Sequence, residues 1–252
     1  MFSISLGIVQ LLSQLKLNGA LQALQEQIEQ PNYSNMAFEE RLSLILEREI
    51  LYKDNRKISR LIKDAKLRHS NALIEEICYK SSRALDKAKL KSLQGCQFIT
   101  HHHNLLITGP TGCGKTFIAC ALAHQACRMG FKVRYIQLSK FLEQLSIAHA
   151  DGSFPKVMQQ LQKYDLLILD DFGLTGMNTQ QRHDLFHLIE DRYQIKSTLI
   201  TSQLPVSKWH ESIGEPTIAD AILDRLLENA HRIEMNMEGD SMRRKKLTEK
   251  ID

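Results

Sequence analysis

Apolar residues recur at three- and four-residue intervals through Leu42, Ile45, Leu46, Ile50, Ile58, Leu61, Ile62 and Ala65, a spacing that lines one face of an α-helix. Up to about Lys91 the chain reads as helix throughout, this long helix being preceded by a helical pair around residues 9–17 and 20–28. Asn18-Gly19 reads as the break within that pair, and Pro31 with the following Asn32 to Asn35 cluster as the break before the long helix. A stretch poor in apolar residues, 79–92, then leads into a different pattern. From Asn104 onward short apolar runs alternate with helical segments, which predicts a parallel sheet covered by helices. Strands are expected at residues 104–108, 132–137, 165–169, 197–201 and 231–236, with helices in every gap. The expected fold is therefore α/β, a five-stranded parallel sheet with helices on both faces, preceded by a small all-helical domain. The boundary is placed between a helical domain at 1–68 and the sheet domain at 69–252.

Chemistry enters where the first strand ends. Gly109-Pro110-Thr111-Gly112-Cys113-Gly114-Lys115-Thr116 fits G-x-x-x-x-G-K-[ST] and opens a helix whose apolar face is Ile118, Ala119, Leu122 and Ala126, the context that a phosphate-binding loop requires. Glycines let successive N–H groups converge on an anion, and the helix adds its positive end. Lys115 is expected to hold the β- and γ-phosphates of ATP and Thr116 to ligate magnesium. Leu166-Leu167-Ile168-Leu169-Asp170-Asp171 supplies a second half: a buried strand ending in two carboxylates beside the phosphate loop. Asp170 is placed to hold magnesium, directly or through water, and Asp171 to orient or deprotonate the attacking water.

Composition narrows the classes. A chain of 252 residues, 43% apolar and 25% charged, has room for a folded nucleotide domain and a smaller appendage but not for two full enzymes. Met1 to Leu6 lacks a basic leader, and Gln10, Ser13 and Gln14 interrupt its apolar run, so the protein is expected in the cytoplasm with no membrane contact. The five cysteines, Cys78, Cys96, Cys113, Cys120 and Cys127, are odd in number and lack CxxC spacing, which argues against disulfides or zinc. Cys120 and Cys127 read as small core residues, and His101 to His103 as a solvated loop.

Net charge is only +4, so distribution matters more than the total. Basic residues gather at Lys53, Arg56, Lys57, Arg60, Lys63, Lys66 and Arg68, at Lys80, Arg83, Lys87, Lys89 and Lys91, and at Arg243, Arg244, Lys245 and Lys246. These are candidate nucleic-acid phosphate contacts, and any one cluster reads equally well as a solvated helix face. No aromatic residue interleaves Lys53 to Arg68, which points to double-stranded DNA rather than to single-strand stacking; Trp209 reads as a packing residue. A small-molecule kinase would need an arginine-rich lid, and residues 139–164 contain no arginine.

The acid pair one strand after a phosphate loop resembles the AAA+ ATPases. Ser197 to Pro205 followed by Trp209, then Asp224-Arg225-Leu226, then Gly239-Asp240-Ser241-Met242-Arg243 resemble the IstB helper ATPases of bacterial insertion sequences. Phe38-Glu39-Glu40-Arg41-Leu42 and the basic helix ending near Ala65 resemble that family's amino-terminal domain, so the likeness covers nearly the whole chain. It implies a P-loop NTPase of AAA+ type with Lys115, Thr116, Asp170 and Asp171 at its centre. Gln203 stands in the position that senses the γ-phosphate, where the family usually carries Asn. Arg225 matches an arginine finger that reaches into a neighbouring subunit, with Arg182, Arg192 and Arg232 as competitors for that role, and Arg243 matches the second sensor arginine. Only residues 237–252 follow the last expected strand, too few for the helical lid of many AAA+ proteins. The implied function is an ATPase that forms a homo-oligomer on duplex DNA and assists transposition by selecting targets and by recruiting and stimulating a cognate, integrase-type transposase. The alternative is a helicase loader similar to DnaC.

Overall fold

The computed structural model describes residues 6–79 and 85–236. Arg243, the basic run from Arg243 to Lys246, and Lys80 and Arg83 lie outside the described residues. The chain forms two compact units, Met1–Arg60 and Leu61–Asp252.

The first unit contains α1 (Leu6–Gln14), α2 (Asn18–Glu29), a 3-10 turn at Pro31–Tyr33 and most of α3 (Phe38–Ala65). Asn18-Gly19 is not the break expected from its composition, because α2 begins at Asn18 and the chain turns before it. Gly19 serves packing instead. A Cβ there would lie 2.6 Å from Tyr52 Cβ and 2.8 Å from the Arg48 carbonyl oxygen, so only glycine lets α2 approach α3 this closely. Buried polar bonds reinforce the contact: Glu49 accepts from the Ala20 amide at 2.9 Å, and Gln27 donates to the Arg41 carbonyl at 2.9 Å.

The second unit begins within α3, whose Leu61 and Ala65 belong to its core. The expectation of helix up to Lys91 fails here. At Lys66 the backbone turns left-handed (φ 50°) and the helix stops. Residues 66–79 then run irregularly, with one 3-10 turn at Ile74–Glu76. Their buried Leu67, Ala72, Ile74 and Ile77 anchor this segment to the core, so burial rather than local propensity sets its path. After it come α4 (Lys87–Leu93), α5 (Gln97–Thr100), β1 (Leu105–Thr108), α6 (Lys115–Arg128), β2 (Val133–Gln137), α7 (Leu138–Ala150), α8 (Phe154–Gln162), β3 (Leu166–Phe172), α9 (Thr179–Glu190), β4 (Ser197–Ser202), α10 (Trp209–Ile213), α11 (Pro216–Leu227) and β5 (His231–Glu234).

The five strands form one sheet of order β2-β3-β4-β1-β5, every pairing parallel. Alternate residues serve opposite faces. Leu105, Ile107, Leu166, Ile168 and Leu199 join α6 and residues 61–99 on one side, while Leu106, Leu167, Leu169 and Ile200 join α7 to α11 on the other. A sheet covered on both faces makes continuous apolar strands, which is why they stand out in the sequence. Cys120 and Cys127 are buried in α6, as their spacing implied, and burial pushes their thiols up to about 11 and about 12. Trp209 is fully buried, packs on Phe172 at 4.6 Å and donates to the Leu204 carbonyl. Arg192, one of the competing finger candidates, is buried and bonds Thr198, Leu161, Tyr164 and Ser197, so its guanidinium is a structural bolt. His103 departs from the expected solvated loop: its ring faces His231 across 3.4 Å.

Candidate active site

Parallel strands carry their carboxyl ends to one edge of the sheet, where ligands of open α/β folds bind. Here β1 delivers residues 109–116, β3 the acid pair, β4 Gln203 and β2 Gln137. Since β4 lies between β1 and β3, its side chains bridge the loop and the acids.

Gly109, Gly112 and Gly114 all take positive φ (147°, 85° and 99°). Gly109 is also squeezed, because a Cβ there would lie 2.3 Å from the Met235 carbonyl oxygen just past β5. Gly114 caps α6, and this 14-residue helix directs its N-terminus at the loop. Cys113 is buried beneath the loop, with Lys115 Nζ 3.9 Å from its sulfur. Pro110 contributes its carbonyl: Lys115 Nζ donates to Gly109 O at 2.7 Å and to Pro110 O at 2.9 Å. The ammonium is thus held across the loop mouth. Thr111 Oγ1 bonds Gln203 Oε1, so the long Gln203 side chain does reach the loop.

Thr116 Oγ1 donates to Asp170 Oδ1 at 2.9 Å, joining loop and acid pair. Asp170 is fully buried and ringed by hydroxyls: Thr116, Thr201, which also bonds Oδ1, and Tyr135, which donates to Oδ2 at 2.6 Å. Burial first, and then the Asp170 carboxylate, push the Tyr135 phenol well up, so it keeps its proton and remains a donor. The strand does not end where the sequence suggested. β3 continues to Phe172, with its register broken between Leu169 and Phe172. Asp171 sits in this irregularity at φ 63°. The Asp171 amide donates to Thr201 Oγ1 (3.2 Å), and its carboxylate accepts from Gln137 Nε2 (3.4 Å).

These groups open onto a cavity of 410 Å³. Thr111, Lys115, Thr116, Asp171, Gln203 and Arg68 form its polar side, and Ile77, Phe117 and Ile118 are among its apolar lining. Arg68 was read with the duplex contacts, but its Nη1 lies 3.7 Å from Asp170 Oδ2 and 4.0 Å from Asp171 Oδ2. Sequence reasoning missed Arg68, Tyr135, Gln137 and Thr201. The one available signal was β4 itself, a buried strand carrying Ser197, Thr198, Thr201 and Ser202, whose hydroxyls must find partners.

The donor set suits a hard divalent cation. Thr116, Asp170 and Asp171 offer oxygen atoms at one place, and magnesium takes its remaining ligands from phosphate and water. Among the described residues no group of three His, Cys, Asp or Glu could hold a metal alone. Arg225 is not brought to this cavity. It lies on α11, donates to the Ala221 carbonyl at 2.8 Å, pairs with Glu190 and stacks over Phe186 and Tyr193. No helix among the described residues is long and apolar enough to cross a membrane.

The profile of the IstB-like ATP binding protein family matches residues 10–250. An insertion sequence ATP-binding protein of Sinorhizobium fredii is 46% identical over 233 residues, 92% of this chain and 94% of that protein. The insertion sequence IS1162 ATP-binding protein of Pseudomonas fluorescens is 47% identical over 196 residues, 78% of this chain and 85% of that one. Among solved structures, the DnaC helicase loader has the same fold at TM-score 0.54 and 19% identity, over 67% of this chain and 99% of that chain. AMPPCP-bound DnaA of Aquifex aeolicus matches at TM-score 0.57 and 19% identity over 71% of this chain, which spans only 54% of DnaA.

Proposed function

This chain belongs to the IstB-like ATP binding proteins, and from that premise we propose that it binds ATP with magnesium in the cavity at the edge of the sheet and hydrolyses it to assist transposition on duplex DNA. The observation that carries this reading is the convergence of Lys115, Thr116, Asp170, Asp171 and Gln203 at one edge, with Asp170 bonded to the loop through Thr116.

In this reading the amides of residues 109–116 and the α6 N-terminus bind the triphosphate. The Lys115 ammonium leaves two backbone carbonyls for the phosphate oxygens. Thr116 and Asp170 would hold magnesium, which when bound neutralises charge on the phosphates. Asp171, which lines the cavity, orients the attacking water and accepts its proton, while Gln203 reports the γ-phosphate to Thr111. Ile77, Phe117 and Ile118 offer apolar surface to the base.

Arg225 lies outside the cavity of its own chain, as a finger acting on a neighbour must. An arginine supplied in trans is worth about a thousandfold or more in rate, so turnover is expected to rise when DNA assembles the protein into an oligomer. We assign the first unit, residues 1–60, to assembly, DNA or transposase contact and residues 61–252 to the ATPase; Leu61, Ala65 and Leu67 lie in the second unit's core, so the boundary moves ahead of the expected 68/69. The bacterial cytoplasm is the proposed location. Several relatives are named for insertion sequences, which favours transposition over helicase loading. The test is ATP turnover at varied protein concentration with duplex or single-stranded DNA. Stimulation by duplex supports the reading. Stimulation by single strands with affinity for a replicative helicase supports the loader, and turnover indifferent to both DNA and concentration removes the assembly model.

A further inference from the structure

Arg68 reaches the acid pair from outside the sheet, on a backbone that is firmly held. The chain turns at Lys66 just after α3, Leu67 is buried, and the Cys120 sulfur of α6 lies against the backbone of His69 and Arg68. The side chain meets the Tyr135 phenol but stands off from the acids. Its separations from the two carboxylates, 3.7 Å and 4.0 Å, exceed a hydrogen bond, and the side chain is 44% exposed while that of Asp170 is fully buried. The hydroxyls of Thr116, Thr201 and Tyr135 satisfy the lone pairs of Asp170 but bring no net charge. Two adjacent carboxylates, one without access to water, need a positive charge nearby, and Arg68 supplies one to both.

Resting on the reading that magnesium and ATP bind here, we propose that Arg68 is a built-in counter-cation of the acid pair, which magnesium must displace. A guanidinium at these distances balances charge without bonding a carboxylate oxygen. A divalent ion carries twice the charge and bonds oxygen directly, so it wins the exchange once phosphate supplies further ligands. Arg68 thereby keeps the empty site from retaining a divalent ion unless nucleotide arrives with it, making magnesium binding conditional on ATP. The exchange needs only rotation of a half-exposed side chain, because the backbone is fixed.

The test uses the full-length protein and its Arg68→Ala and Arg68→Lys variants. One arm titrates magnesium against uptake of a fluorescent ATP analogue, and the other follows thermal melting with magnesium chloride alone. Because solvent screens the pair, the alanine variant is expected to need roughly three- to tenfold less magnesium for half-maximal uptake. It should also gain a magnesium-dependent rise in melting temperature without nucleotide. The lysine variant keeps the charge and should stay within about twofold of wild type. A magnesium requirement unchanged or raised in the alanine variant, no magnesium-dependent rise in its melting temperature, or equal shifts in both variants would overturn the proposal. If wild type takes up no nucleotide at all, the nucleotide reading falls and this proposal with it; if wild type binds and the alanine variant's requirement does not move, only this proposal falls.

Discussion

The two units are held together in opposite ways. Residues 61–252 bury strands on both faces of a sheet, so that Leu105, Leu166, Leu167, Ile168 and Leu169 have no exposed surface, while the first unit buries little besides Ala20, Ala23, Gln27 and Glu49. Its large apolar side chains stay outside: Leu15 is 67% exposed, Phe38 71% and Ile50 60%. A core of alanines and bonded polar groups contributes far less transfer free energy than a core of leucines, each worth about 2 kcal/mol. The difference teaches where chemistry can reside. A site that must hold carboxylates and an ammonium within a few tenths of an ångström needs the stiff two-faced sheet, and every group of the acid pair and phosphate loop lies on it.

The comparison can be broken most strongly at the acid pair. Asp171→Asn should lower ATP turnover by about 10²- to 10⁴-fold, with nucleotide binding retained and the melting of the first unit unmoved; turnover near wild type would remove Asp171 from the water-activating role. Next in size, Ile168→Ala at a fully buried position of β3 should cost about 2–5 kcal/mol and lower the melting transition to which ATP binding is coupled. A loss below about 1 kcal/mol would mean the sheet is not the rigid body described. In the first unit Gly19→Ala forces a methyl group against Tyr52 and the Arg48 carbonyl and should cost about 1–3 kcal/mol, with ATP affinity within about twofold of wild type. Equal loss of ATP binding would show that the units do not divide the work.

The smallest effect concerns pH. Burial, and then the neighbouring His103, lower the His231 pKa from 6.5. The unfolded chain therefore takes up a proton more readily as pH falls, so this contribution to stability is present above the ordinary histidine value and is lost as pH drops toward the folded one. His231→Asn should flatten the decline of melting temperature below pH 6.5 by about 1–2 °C. An identical profile would show that the imidazole pair carries no such linkage.

Much of the second unit was legible because its physics is local. Buried parallel strands are apolar runs, and a glycine loop that cradles an anion has a fixed spacing, so β1, β2, β4 and residues 109–116 emerged nearly in place. Other features depend on partners distant in sequence. Residues 66–79 carry no strong turn signal, yet burial of Leu67, Ala72, Ile74 and Ile77 in the second unit's core holds them off a helical path. The bulge at Asp171 arises from pairing with β4, and nothing in Leu166 to Asp171 announces it. Arg68 looked like one more cation in a basic run because the carboxylates it faces are a hundred positions downstream. Gly19 carried a turn signature, but what demands glycine there is the close approach of α3.

The most direct test of the account is calorimetric titration of ATP with magnesium into the folded full-length protein and into Lys115→Ala. The account predicts one ATP per chain for wild type and an affinity at least about 100-fold weaker for the variant, as expected when a charge-assisted phosphate contact is lost. A folded wild-type protein that takes up no ATP, or a variant that binds as tightly as wild type, would contradict it.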